Sequence, residues 1–272
     1  MKAQVIILAG ILVLGSACKN KKAETADLQS QSAITKEAQV YIDGLTNNVA
    51  KHADSAGLRL QLINALDSIN DFKNALIHMD ILLKKDSGNY GLWYRKGKLL
   101  ENSKDTIQAI KAFNSALRIY PSPDGMLSLA NLLAETRSKN ALPLCQQVLD
   151  LRMGREYDAH AHFISGIYFA RTANYTKAQI EFDNCINNNF SYIEAYLEKG
   201  FIFYDAKKYE EALKIFKMAS NINNTYPDAY YWLAKTQEAM HQNAEALKNY
   251  QTALMLDKNL KEATEAIQRL EK

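Results

Sequence analysis

Alanine recurs at one fixed interval along the chain, and that interval restricts the fold more than any other feature. Ala75 and Ala109 are 34 residues apart, as are Ala178, Ala212 and Ala246, and a degenerate copy around Ala141 fills the gap between the two series. Twelve residues before these alanines stand Ile63, Gly97, Gly166, Gly200 and Ala234. Four residues after them come Met79, Phe113, Cys145, Phe182, Phe216 and Tyr250, and seven after them Leu82, Ala116, Val148, Cys185, Ala219 and Ala253. Each copy has two apolar stripes of helical period separated by a short polar turn, such as Ser103-Lys104-Asp105 or Thr172-Ala173-Asn174. Two antiparallel helices approach closely only where side chains are small, and the recurring Gly or Ala supplies that place. A single hairpin of this size leaves apolar faces uncovered, so the copies must stack on one another.

Composition excludes the competing architectures. With 11 Gly and 4 Pro in 272 residues, the chain lacks the turn-formers of a sandwich or barrel. A hydrophobic fraction of 47% is too high for a disordered chain, and 3 Cys are too few for a disulfide scaffold. The net charge of +3 comes without a basic stripe, which argues against a nucleic-acid partner. The chain is expected to be all-α.

The register resembles the tetratricopeptide repeat. The copy from Tyr90 carries Trp93, Gly97, Ala109, Phe113, Ala116 and Pro121 where that repeat has its characteristic residues. The resemblance implies a right-handed α-α superhelix of about six helix-turn-helix units, at 56–89, 90–122, 123–158 (degenerate), 159–192, 193–226 and 227–260. Residues 34–55 read as a leading helix and 261–272 as a capping helix. The family consists of binding scaffolds, so the resemblance implies a protein or peptide partner held in a concave groove and no small-molecule substrate. The groove residues it implies lie on the first helix of each unit: Leu60, Asn64, Tyr94, Lys98, Leu127, Asn131, Phe163, Ile167, Arg171, Leu197, Phe201, Tyr204, Tyr231 and Lys235. Aromatic anchors among mixed polar groups suit an extended or helical peptide, although the place held by Leu60, Tyr94, Leu127, Phe163, Leu197 and Tyr231 also serves packing. Phe201 and Tyr204 are expected to carry capture with little load on the fold. A clamp for a carboxylate tail is not expected, because Leu60, Asp124 and Ser128 stand where it would need cations.

The N-terminus reads as a targeting segment. Lys2 followed by the uncharged run Val5–Leu14 is too short to span a bilayer and suits a signal peptide, residues 1–17. Gly15-Ser16-Ala17-Cys18 resembles a bacterial lipoprotein signal, which implies lipidation of Cys18 and a tether over 18–33; cleavage after Ala17 with soluble export is the alternative. Lys19 after the cysteine, together with the lack of an acidic cluster, favours an outer-membrane lipoprotein facing the periplasm. Contact with the membrane would be through the lipid only.

No catalytic residue, metal ligand or cofactor motif is found. His160 and His162 diverge on a helix and read as one groove and one packing histidine. Cys145 and Cys185 fall on packing places and read as free buried thiols, with a disulfide conceivable in an exported chain. The reading is a non-catalytic scaffold for envelope proteins, or alternatively an assembly or pilotin-like subunit of an outer-membrane machine.

Overall fold

The computed structural model describes residues 21–271, with side chains from Lys36 onward, and every regular element among them is helical. Residues 1–17, read as a signal peptide, and Cys18 lie outside the described residues. The first element, α1, runs Lys21–Lys51 as one helix, so the backbone of the stretch read as a tether is helical from Lys21. KKAETADLQSQSA contains no Gly or Pro and is rich in helix formers, which permits this. The remaining elements are α2 (Ala56–Ser68), α3 (Phe72–Lys85), α4 (Tyr90–Asn102), α5 (Thr106–Ile119), α6 (Pro123–Glu135), α7 (Ala141–Asp150), α8 (Arg155–Arg171), α9 (Tyr175–Asn188), α10 (Ile193–Asp205), α11 (Tyr209–Ile222), α12 (Pro227–Ala239), α13 (Asn243–Leu256) and α14 (Lys261–Leu270).

Two compact units divide between His78 and Met79. In the first, Ile42, Leu45 and Val49 of α1 are buried, as are Leu62, Ile63 and Leu66 of α2, and the two helices pack together. Arg59 is buried there and donates to His78 Nδ1 at 3.0 Å and to the Ala53 carbonyl at 2.9 Å. Burial, and then the neighbouring guanidinium, push the His78 pKa below its ordinary value. The unfolded chain therefore takes up the proton first as pH falls, and the stability His78 contributes is full above about 6.5 and lost below it. Melting of the full chain should fall between pH 7.5 and 5.5, and His78→Gln should flatten that fall. An equal slope in the variant would exclude His78 as the cause.

In the second unit the helices pair as hairpins, α4 with α5, α6 with α7, α8 with α9, α10 with α11 and α12 with α13, and each second helix also meets the next first helix. This is the all-α arrangement of stacked hairpins expected from the period. Ala109, Ala141, Ala178, Ala212 and Ala246 are fully buried. At three crossings a glycine faces a phenylalanine so closely that a Cβ would lie 2.6 Å from Phe113 at Gly97, 2.5 Å from Phe182 at Gly166 and 2.4 Å from Phe216 at Gly200. The ring fills the space a side chain would need, which is why the residue there is glycine.

Every turn inside a hairpin of this unit ends its first helix in the same way. Lys104, Arg137, Ala173, Lys207 and His241 all have φ between 58° and 63°. In each, that residue's N–H bonds back three residues and the next N–H bonds back five, for example Lys104 to Glu101 and Asp105 to Leu100, both at 2.9 Å. This is the Schellman closure, here without glycine at the left-handed place. Asn89, Asp105, Ser122 and Asn174 cap the following helices through side-chain oxygens. Pro123 and Pro227 open α6 and α12, where the missing N–H costs nothing.

Candidate functional site

The first helices of the second unit line two concavities. The larger, about 510 Å³, is walled by α4, α6 and α8. It brings together five of the side chains singled out from sequence: Tyr94, Lys98, Leu127, Asn131 and Phe163. The rings are held from behind. Tyr94 lies 5.6 Å from the buried Phe113 and 5.7 Å from Tyr90, and Phe163 lies 5.9 Å from the buried Phe182 and 4.9 Å from Tyr192. Tyr90 in turn bonds the Ser122 hydroxyl, so the wall is fixed to the cap of α6.

Acidic groups dominate the rim. Glu101, Asp124 and Glu156 line the concavity with Lys98, whose ammonium is already paired with Glu101 at 2.6 Å. The Tyr157 hydroxyl donates to Asp124 at 3.1 Å, and that bond raises the phenol pKa. His160 stands at this surface and bonds the Tyr192 hydroxyl at 3.0 Å, whereas His162 is half-buried and meets Glu181 at 2.7 Å. The two imidazoles thus have separate partners, one at the groove and one in the packing. Among the described residues no cluster of His, Cys, Asp and Glu is placed to hold a metal. Cys145 and Cys185 are free and buried, and burial pushes their thiols up to about 11 and about 12, so neither is a thiolate near neutral pH.

The second concavity, about 480 Å³, collects Tyr204, Tyr231 and Lys235, also expected from sequence, with Glu238 and the α14 residues Glu262, Glu265 and Arg269. Glu238 accepts from Arg269 at 2.8 Å and from the Tyr250 hydroxyl at 2.8 Å. The terminal helix, read from sequence as a solvating cap, is therefore part of a site wall.

Four expected groove residues in this unit do not face a free groove. Ile167 is 2% exposed and Leu197 6%, so both are core residues. Ile167 is covered because α8 packs against α6, α7 and α9 at once, and Leu197 joins Phe216, Ala219 and Leu233 in the next core. Phe201 packs at 5.8 Å from Phe216 and 4.6 Å from Trp232, so it carries stability, contrary to the expectation of a light structural load. Trp232, whose role the sequence leaves open, stacks on Phe216 at 6.0 Å and 25°. Arg171 is fully engaged within the fold. It donates to Glu135 at 2.9 and 3.2 Å and to Glu198 at 3.1 and 3.0 Å, which ties α6, α8 and α10 together. The bonds to Glu198 and then Glu135 hold its pKa above the ordinary value, against the effect of burial. Lysine cannot reproduce two forked contacts, so Arg171→Lys should cost about 1–2 kcal/mol in chemical denaturation. An unchanged midpoint would mean the clamp contributes nothing. The remaining two, Leu60 and Asn64, lie on α2 of the first unit, half-buried and exposed respectively.

Sequence reasoning missed Glu156, Tyr157 and Tyr192 as wall residues. The helix α8 starts at Arg155, four residues ahead of the repeat boundary at 159, so Glu156 and Tyr157 were assigned to the tail of the preceding unit. Gly154, with φ 110°, followed by Glu156 and Asp158 in the first turn, is a helix-start signal that would have found them.

Comparison with known proteins agrees with the helical-hairpin fold. Residues 90–123 and 227–269 match a family model described as Tetratricopeptide repeat, and residues 200–240 match one described as TPR repeat. Tetratricopeptide repeat protein 1 of Schizosaccharomyces pombe is 28% identical over 243 residues, covering 81% of this chain and 22% of that protein. The chain thus spans about a fifth of that relative's length. A tetratricopeptide repeat protein of Parabacteroides merdae superposes with a TM-score of 0.69 at 14% identity, over 92% of this chain and 98% of the other. PilW, described as a widely conserved type IV pilus biogenesis factor, superposes with 0.64 at 17% identity, over 79% and 97%. These likenesses show the fold, and the matched segments, 90–123, 200–240 and 227–269, are where the chain carries tetratricopeptide repeats.

Proposed function

We propose that this chain is a non-catalytic scaffold that binds a peptide segment of envelope proteins along the first helices of residues 79–272, tethered to the outer membrane by a lipid on Cys18 and facing the periplasm. The observation that carries the binding reading is the convergence of Tyr94, Leu127 and Phe163 from the first helices of three successive hairpins on one concavity, backed by packed rings and rimmed by carboxylates. Such a surface offers apolar anchors at helix-to-helix spacing and polar acceptors around them. The anchor reading is supported by the residues before Cys18 alone.

A photocrosslinking amino acid at Asn131, on the concavity, and at Lys111, exposed on α5, tests the groove in cells. Adducts mapping to a defined peptide segment are expected from position 131 and not from 111, and equal labelling from both would overturn the reading. Cys18→Ala should move the protein from the membrane to the soluble fraction, and persistence in the membrane would remove the anchor. An assembly or pilotin-like role would use the same groove and is distinguished by stoichiometric co-purification with a large envelope complex.

A further inference from the structure

Beside the second concavity, which Tyr204, Tyr231 and Lys235 line, these three side chains and Trp232 form an aromatic box whose guest is the chain's own lysine. Lys235 Nζ lies 4.4 Å from the Trp232 ring centre, 5.6 Å from Tyr231 and 5.9 Å from Tyr204. Both tyrosine rings stand nearly perpendicular to the indole, at 84° and 80°, with centres 5.7 and 5.6 Å from it. Trp232 is the floor and the tyrosines are two walls. The floor cannot retreat, because Trp232 is stacked on Phe216, which is fully buried. Ring faces attract a cation through their quadrupole, so the arrangement is a preformed ammonium site.

The charge around it has the same preference. Glu238 is satisfied by Arg269 and Tyr250, while Glu262 and Glu265 make no ion pair among the described residues. With Lys235 removed from the count, Glu238, Glu262 and Glu265 against Arg269 leave the concavity at −2. Burial first, and then the field of Glu262 with smaller effects of Glu238 and Glu265, raise the Tyr231 pKa against the opposing effect of Arg269. The first concavity is likewise −2, from Glu101, Asp124 and Glu156 against Lys98.

We infer that the box formed by Tyr204, Tyr231 and Trp232 is a subsite for a lysine side chain of the bound peptide, which takes the place of Lys235. This rests on the peptide-groove reading and specifies its partner as a basic segment. Lys235 is then an internal competitor. It keeps the rings ordered when the groove is empty and reduces apparent affinity by the fraction of time it occupies the box. Glu262 and Glu265 line the same concavity as Lys235, so a displaced ammonium has carboxylates around it.

The test uses the full-length chain with Trp93→Phe, which leaves Trp232 as the sole tryptophan reporter. Three probes are titrated against its fluorescence: acetyl-Gly-Gly-Lys-Gly-Gly-amide, the same peptide with Nε-acetyl-lysine, and the same peptide with glutamate. Lys235→Ala should tighten the lysine peptide by roughly three- to thirtyfold and leave the other two unchanged. Lys235→Met, which keeps the apolar stem, should behave similarly and shows that any gain is not a product of misfolding. No tightening in either variant, or equal tightening for the acetyl-lysine peptide, overturns the lysine subsite. If that happens while peptide adducts at position 131 persist, the groove reading stands and only the lysine subsite fails. Loss of the adducts at position 131 would remove the groove reading separately.

Discussion

Gly200→Val should destabilise residues 79–272 by about 2–3 kcal/mol, read as a fall in melting temperature of roughly 4–12 °C. The new Cβ would lie 2.4 Å from Phe216 Cε1, 2.6 Å from Cζ and 2.9 Å from Cδ1, distances that no real contact sustains. Relief requires the ring to move, and the ring is fully buried with Trp232 stacked on it and Phe201 beside it. Helix propensity does not offset the clash, since the gain of valine over glycine in a helix is only a few tenths of a kcal/mol. The mechanism makes a second, sharper statement. Phe216→Leu shortens the group that collides, so the double variant should lose less than the sum of the two single losses by about 1 kcal/mol or more. Strict additivity would show that the valine acts elsewhere. Gly44→Ala is the natural control, because a Cβ there meets nothing within 4 Å, and that change should be neutral or stabilising.

The largest functional effect is expected from Asn131→Arg. Asn131 is half-buried on α6, between the Tyr94 and Phe163 sides of the larger concavity, and its side chain makes no hydrogen bond among the described residues. An arginine there fills the space where a peptide side chain would lie and places a cation where a basic segment would come. Affinity for the segment that crosslinks at this position should drop about 30-fold or more, the scale of a hot-spot loss. Stability should change by no more than about 0.5 kcal/mol, as for an ordinary surface change. Gln108→Arg, exposed on α5, adds the same charge outside the groove and should leave affinity unchanged. Undiminished binding to the Asn131 variant would place the binding surface elsewhere.

The features legible in the sequence were those set by steric necessity at a repeated place. A crossing between short helices tolerates only a small residue, so the spaced alanines identified the crossings, and all five from Ala109 to Ala246 are fully buried. The glycine at the partner place could be read as small, but that it accompanies phenylalanine specifically, at 97 with 113, 166 with 182 and 200 with 216, needed the packing. Which face of a helix is groove and which is core was less legible. Helical period fixes the angle of a side chain around its own axis, whereas exposure also depends on which neighbour lies across from it. Ile167 and Leu197 share register with residues that line the concavities and are covered by adjacent helices. Arg171 has the composition of a ligand contact, and only the structure shows both of its edges consumed by Glu135 and Glu198. The α7–α8 region departs from the period, and there the repeat boundary concealed the start of α8 and with it two wall residues.

The Arg171 clamp also acts as a ruler. It joins α6, α8 and α10, and the two concavities lie on either side of it, one on α4, α6 and α8 and the other on α10, α12 and α14. Stacked hairpins stretch and compress as a spring does, by small changes at each interface, and a change of pitch in the interval containing this clamp would have to break its forked bonds to Glu135 or Glu198. A peptide that occupied both concavities would meet a separation that these bonds resist changing. Its second contact benefits from high effective concentration only when the residues between its two anchors match that span, and a linker too short or too long loses the gain. Spacing along the partner would then be selected as strictly as the identity of its anchoring side chains.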